Sequence, residues 1–193
     1  SVVMNQPQAS ITAAVNGNHT QANVKAVGVT LPGGVKGVQM AVWSNAGGQD
    51  DLIWYQADHR GGSTWNLNVP ISNHATAGTY SVHVYVIDSK GGTHAIGTTQ
   101  FSVEGPGRGN VSFKNKDEEM GYFTASIDGV TAKAGIRGIQ VAVWSATGGQ
   151  DDLVWYTASP KADGTFEVPV DMANHKFTYG TYHVHAYATD NNG

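Results

Sequence analysis

The chain is 193 residues long, carries a formal net charge of −4 and contains no cysteine. Disulfides, thiol nucleophiles and thiolate metal sites are therefore excluded, and the charge balance offers nothing to a polyanion such as nucleic acid. Charged residues make up only 13%, and 25 glycines stand beside many Val, Thr, Tyr and Trp, a composition that favours short strands and tight turns over helices.

Ser1 to Gln8 reads as an irregular lead-in without the features of a signal peptide. Ile11–Val15 and Val24–Val29 alternate with period two and are predicted strands, separated by the turn Asn16-Gly17-Asn18. After Leu31-Pro32-Gly33-Gly34, the residues Val38, Met40 and Val42 alternate with Gln39, Ala41 and Trp43, as in a half-buried strand. Asn45 to Gln49 is a loop closed by Asp50-Asp51, and Leu52–Gln56 is the next strand. Arg60 to Ser63 turns the chain into Thr64–Ile71, and a loop holding His74 follows. Tyr80–Ile87 and His94–Val103 then flank a hairpin turn at Asp88–Gly92. Short strands with turn signals roughly every ten residues predict an all-β, immunoglobulin-like β-sandwich, with a small barrel as the alternative.

The stretch Gly37–Tyr55, GVQMAVWSNAGGQDDLIWY, returns from Gly138 to Tyr156 as GIQVAVWSATGGQDDLVWY, with fourteen of nineteen positions identical. Such self-similarity makes the protein two tandem copies of one module. The first is expected over 1–104, a Gly/Pro linker over 105–110, and the second over 111–193. Strands of the second copy are predicted at Val111–Phe113, Tyr122–Ile127, Ile139–Trp144, Leu153–Thr157, Thr165–Val170 and Tyr182–Thr189, with one residue inserted after His175. Gly78-Thr79-Tyr80-Ser81-Val82 and Gly180-Thr181-Tyr182-His183-Val184 both have the spacing of a tyrosine corner, in which the phenol bonds back to the main chain. Beyond Asp190, the counterpart of Asp88, stand only Asn191-Asn192-Gly193. The second sandwich is therefore expected to lack its last strand and to leave a sheet edge unpaired.

Strand phase selects the candidate site. With Val38, Met40 and Val42 inward, Gln39 and Trp43 point out, and so do Gln140 and Trp144 in the second copy. His83 and Tyr85, with His185 and Tyr187, are outward on the strand expected beside them. Flat rings with a few amides suit sugar faces, so these eight residues form a candidate glycan surface. The competing reading makes Trp43 a core residue, as one β-bulge reverses the phase. Trp54 or Tyr55 is the further candidate for that surface, but Trp54 and Trp155 are read as packing residues, because Leu52-Ile53-Trp54-Tyr55 is apolar on both faces.

Gly-Gly-Gln-Asp-Asp at 47–51 and 148–152 offers adjacent carboxylates to calcium, yet lacks the spaced acidic ligands of a calcium loop and reads better as a turn. His183 and His185 form an HxH pair, but Ser81 replaces the first histidine in the other copy, so no metal site is expected. No nucleophile elbow, HExxH run, phosphate-cradling loop or separated acid pair is present, and no catalytic residue or cofactor is expected. No apolar run is long enough to span a membrane.

The pattern AVWS…GGQDDLxWY, followed by Ser-Thr-Trp or Gly-Thr-Phe, an Asn-His pair and GTYxVHxY, resembles the group B streptococcal Bsp-like repeat. The resemblance runs from about Asn23 to Phe101 and from Phe123 to Asp190. It implies a non-catalytic module, found in tandem in secreted and surface proteins of streptococci and lactobacilli and often beside peptidoglycan-hydrolase domains. The expected partner is a bacterial cell-wall polymer or glycan, the expected context a longer secreted chain with flanking domains. A stalk or host-glycan-binding repeat of a surface adhesin is the alternative. The resemblance supplies no ligand residues.

Overall fold

The computed structural model describes residues 6–193 and divides into two compact units, one running to Gly105 and the other spanning Pro106–Asn191. Part of the expected lead-in, residues 1–5, lies outside the described residues, and Gln8 already opens the first strand. The first unit contains β1 (Gln8–Val15), β2 (Gln21–Thr30), β3 (Val35–Ser44), β4 (Ile53–Gln56), β5 (Asp58–His59), β6 (Trp65–Pro70), β7 (Gly78–Asp88) and β8 (Thr93–Val103). They form two antiparallel sheets in the orders β1-β2-β6-β5 and β4-β3-β7-β8. Among the described residues no strand pairing joins one sheet to the other. This is the sandwich order of an immunoglobulin-like domain, and it removes the barrel alternative.

The core lies between the sheets. Val24 and Val69 face Val38, Met40, Val42 and Val84 there, all with no accessible surface. Alternation along each strand thus separates a buried side from a solvent side, as the sequence period demands. Tyr80 is wholly buried and its hydroxyl donates to the Thr76 carbonyl at 2.5 Å. Tyr182 does the same to Thr178 at 2.7 Å, so both tyrosine corners form. Burial first of all pushes the Tyr80 phenol up to about 12, which keeps it a donor throughout the physiological range.

Two features were not readable from periodicity. The two-residue strand β5 precedes the Arg60–Ser63 turn, and a 3₁₀ turn at Ile71–Asn73 carries His74 inward. In the second copy the equivalent turn, Met172–His175, starts at Asp171, whose side chain accepts from the Ala173 N–H at 2.8 Å. The inserted residue sits directly after it, where Lys176 and Phe177 both adopt positive φ while Ala75 does so at the matching place in the first unit.

The second unit contains β9 (Asn110–Asp117), β10 (Tyr122–Asp128), β11 (Ile136–Ser145), β12 (Val154–Thr157), β13 (Ser159–Pro160), β14 (Phe166–Asp171) and β15 (Tyr182–Asp190). Its sheets are β13-β14-β10-β9 and β12-β11-β15. Strand β9 is longer than its apolar residues suggested, because main-chain pairing to β10 continues at Lys114 and, past a register shift, at Asp117. Asn110 belongs to that strand and pairs with Asp128.

Among the described residues nothing pairs with the far edge of β15, where β8 sits in the first unit. The consequence is visible in burial. Val82, Val84 and Val86 have no accessible surface, whereas their counterparts Val184, Ala186 and Ala188 are half-buried. Tyr80 stacks on Phe101 with centroids 4.9 Å apart, while Tyr182 meets only Phe123 and His175 among rings, and an open cleft of about 280 Å³ lies beside it.

Candidate functional site

The outer face of the β4-β3-β7 sheet and its copy β12-β11-β15 carry the expected residues. Backbone register sets them in rows. Ala41 lies between Trp54 and His83, and Gln39 between Gln56 and Tyr85. The second unit repeats this with Ala142 between Trp155 and His185, and Gln140 between Thr157 and Tyr187. All eight candidate residues therefore reach the outer faces on which strand phase placed them.

Trp43 is outward and takes no part in the core between the sheets, yet it is only 8% accessible. His83 meets its ring edge-on at 4.7 Å. Trp144 is more open and lies against two histidines, His185 edge-on at 4.7 Å and His183 stacked at 5.3 Å. In the first unit Ser81 replaces that second imidazole and instead donates to Asn45 Oδ1 at 2.9 Å.

The expectation for Trp54 and Trp155 is corrected. Neither packs inside: their accessibilities are 54% and 55%. Tyr55 and Tyr156, one residue on, take the inward position and bond buried histidines. A signal was present in the sequence, since Gln56 and Thr157 share a face with these tryptophans and mark it as the wet one. Trp54 meets Tyr85 at 5.1 Å and Trp155 meets Tyr187 at 5.4 Å, in both cases with planes tilted near 45°. These partners sit two strands apart, on either side of β3 or β11. Strand spacing of about 4.8 Å puts their backbones roughly 10 Å apart, so the rings lean together over the central strand. Ala41 and Ala142, both 2% accessible, are the short side chains beneath.

The Asp pairs serve the fold. Asp51 Oδ1 accepts from the Ser44 N–H at 2.9 Å, and Asp152 Oδ1 from the Ser145 N–H at 2.9 Å. Each carboxylate closes its loop from below. Burial raises the Asp152 carboxyl, but bonds from Ser145 and the nearby His175 outweigh it and hold the group below its ordinary value. His175 is wholly buried, with Nδ1 2.9 Å from the Asp152 carbonyl and Nε2 2.8 Å from the Tyr156 hydroxyl. A carbonyl only accepts, so Nδ1 carries the hydrogen, and in the neutral imidazole Nε2 accepts from the Tyr156 hydroxyl. His74 bonds the Asp51 carbonyl and Tyr55 in the same way, and its Nδ1 also lies 3.1 Å from Asp51 Oδ2. Among the described residues no three His, Cys, Asp or Glu side chains gather as a metal set.

Comparison with known proteins adds the family. No curated protein matches the chain. Among solved structures, a tetra-tandem repeat from the extending region of a large adhesion protein aligns at 20% identity and a TM-score of 0.40, over 96% of this chain and 46% of that one. A polysaccharide deacetylase from Bacillus cereus aligns at 12% identity and a TM-score of 0.41, over 49% of this chain and 30% of the other. A bacterial ice-binding adhesin aligns at 13% and 0.31, over 96% and 65%. The chain thus spans less than two thirds of each of these proteins, and the sheet order above, rather than these alignments, fixes the fold. The profile of the GBS Bsp-like repeat matches twice, at residues 11–101 and 112–193. The chain belongs to the GBS Bsp-like repeat family, as two tandem copies.

Proposed function

We propose that this chain is a non-catalytic, cell-wall-binding repeat region that holds a secreted, autolysin-like hydrolase on peptidoglycan or an attached wall glycan at the bacterial surface. One observation carries the reading: both units present the same aromatic and amide arrangement on one outer sheet face. A feature kept in two copies at matching positions, and not consumed by either core, is available to a partner. Two weak sites on one polypeptide gain avidity on a polymer that offers many equivalent positions. The carboxylates with the most specific environments, Asp51 and Asp152, are taken up by backbone bonds, which supports a binding role rather than acid–base chemistry.

The chain should co-sediment with purified wall sacculi without releasing soluble muropeptides. Retention no greater than that of an unrelated sandwich of similar size overturns the reading. Retention on host glycoprotein but not on sacculi would replace it with the adhesin alternative.

A further inference from the structure

We propose that the stacking surface in each unit is the exposed indole of Trp54 or Trp155, braced by Tyr85 or Tyr187, and that its ligand is a neutral pyranose of the wall glycan strand. The proposal rests on the wall-binding reading and goes beyond it in naming the ring and the ligand chemistry.

Exposure singles out the ring. An indole left more than half accessible in both copies is an unusual use of a large apolar side chain on a folded surface, and such residues concentrate at binding sites. Its orientation is defined: the tyrosine meets it from two strands away, over an alanine too short to lift either ring. A braced ring loses little freedom when a ligand lands on it. The ring that first drew notice in the sequence, Trp43, is almost covered in the first unit.

Charge selects the ligand. Outward positions from Gly37 to Trp43, at Trp54 and Gln56, and from Ser81 to Ile87 hold no Lys, Arg, Asp or Glu, and the equivalent positions of the second unit hold none. A phosphate-bearing wall polymer needs cations, and none stands at these positions around the ring, the nearest on the central strands being Lys36 and Arg137 at their starts. A neutral sugar needs a flat ring for its C–H face and uncharged groups at the rim for its hydroxyls and amides. Gln39 and Gln56 stand beside the first ring, and Gln140 and Thr157 beside the second.

The test uses the whole chain, sacculi stripped of teichoic acid, and chitotetraose as a soluble neutral probe, read by tryptophan fluorescence and calorimetry. Stripped sacculi should retain the protein. The double variant Trp54→Ala/Trp155→Ala should keep its melting temperature within a few degrees and lose at least about tenfold in chitotetraose affinity and in sacculus retention. Should the alanine pair fail to fold, Trp54→Thr/Trp155→Thr, with a residue favoured in strands, is read in the same way. A folded double variant that binds sacculi as well as the parent overturns this proposal and leaves the wall-binding reading standing. Loss of parent binding when teichoic acid is stripped overturns the neutral-sugar assignment. A parent that binds neither form of sacculus overturns both.

Discussion

Replacing His175 with Phe isolates the buried imidazole as the tie between the GGQDD loop and the turn at Met172–His175. Phenylalanine keeps a ring edge-on to Tyr182, where the centroids are now 5.4 Å apart, but removes both nitrogens. The Asp152 carbonyl then loses its 2.9 Å donor in a site without solvent, and the Tyr156 hydroxyl loses its 2.8 Å acceptor. Leaving a buried acceptor unmatched costs about 1–3 kcal/mol and losing a hydrogen bond at the rim about 1, so the variant should be destabilised by about 2–4 kcal/mol. For a unit of this size that lowers its melting temperature by on the order of 10–20 °C. Calorimetry of the whole chain should show the change in one transition only, and His74→Phe should move the other. A shift below about 3 °C in both variants would refute the claim that these histidines carry the loops.

Three further outcomes follow from the same geometry. Ala41→Leu or Ala142→Leu pushes the overlying rings apart; near-ultraviolet circular dichroism should lose the Trp–Tyr signal of that unit at a cost of about 1–3 kcal/mol, and an unchanged spectrum would refute the arch over the central strand. Phe101→Ala removes the ring stacked on Tyr80 and should cost the first unit about 3–5 kcal/mol in urea unfolding; a loss under about 1 kcal/mol would show that β8 is not what seals that core. The Asp88 carboxyl, held down to about 2 by His94 first and by the Gly92 and Lys90 N–H groups after it, contributes stability that is complete above its unfolded value of 3.8 and vanishes as pH falls through about 2. Asp152, also lowered, acts in the same direction in the second unit. The first transition should therefore move down between about pH 4 and pH 2 and the second should also fall on acidification, and carbon-13 titration of Asp88 with a midpoint near 3.8 would contradict the His94 bridge.

The fold was legible because alternation is honest wherever one face of a strand is dry. Val38, Met40 and Val42 against Gln39 and Trp43 placed the core correctly, and the two Gly-Thr-Tyr segments placed the corners. What escaped was information held by neighbours rather than by period. In Leu52-Ile53-Trp54-Tyr55 every residue is apolar and only Gln56, one step on, marks the wet face; the partner that holds Tyr55 inward is His74, nineteen positions away and brought under the sheet by a 3₁₀ turn. The low accessibility of Trp43 is equally non-local, since the outward direction was readable but the cover the ring receives on that face was not.

The leaning tryptophan–tyrosine pair also bears on how the sheet chooses its alignment. Strand β4 has four residues, and a slip of two against β3 would preserve every inside–outside assignment that hydrophobicity can enforce. Such a slip would carry Trp54 off the short Ala41 and set it beside the longer Gln39 or Trp43 instead. Only in the observed alignment does the indole lean toward Tyr85 from beside an alanine. The pair thus favours that alignment from the solvent side, beside the Tyr55–His74 and Ser44–Asp51 bonds that hold the same stretch from within.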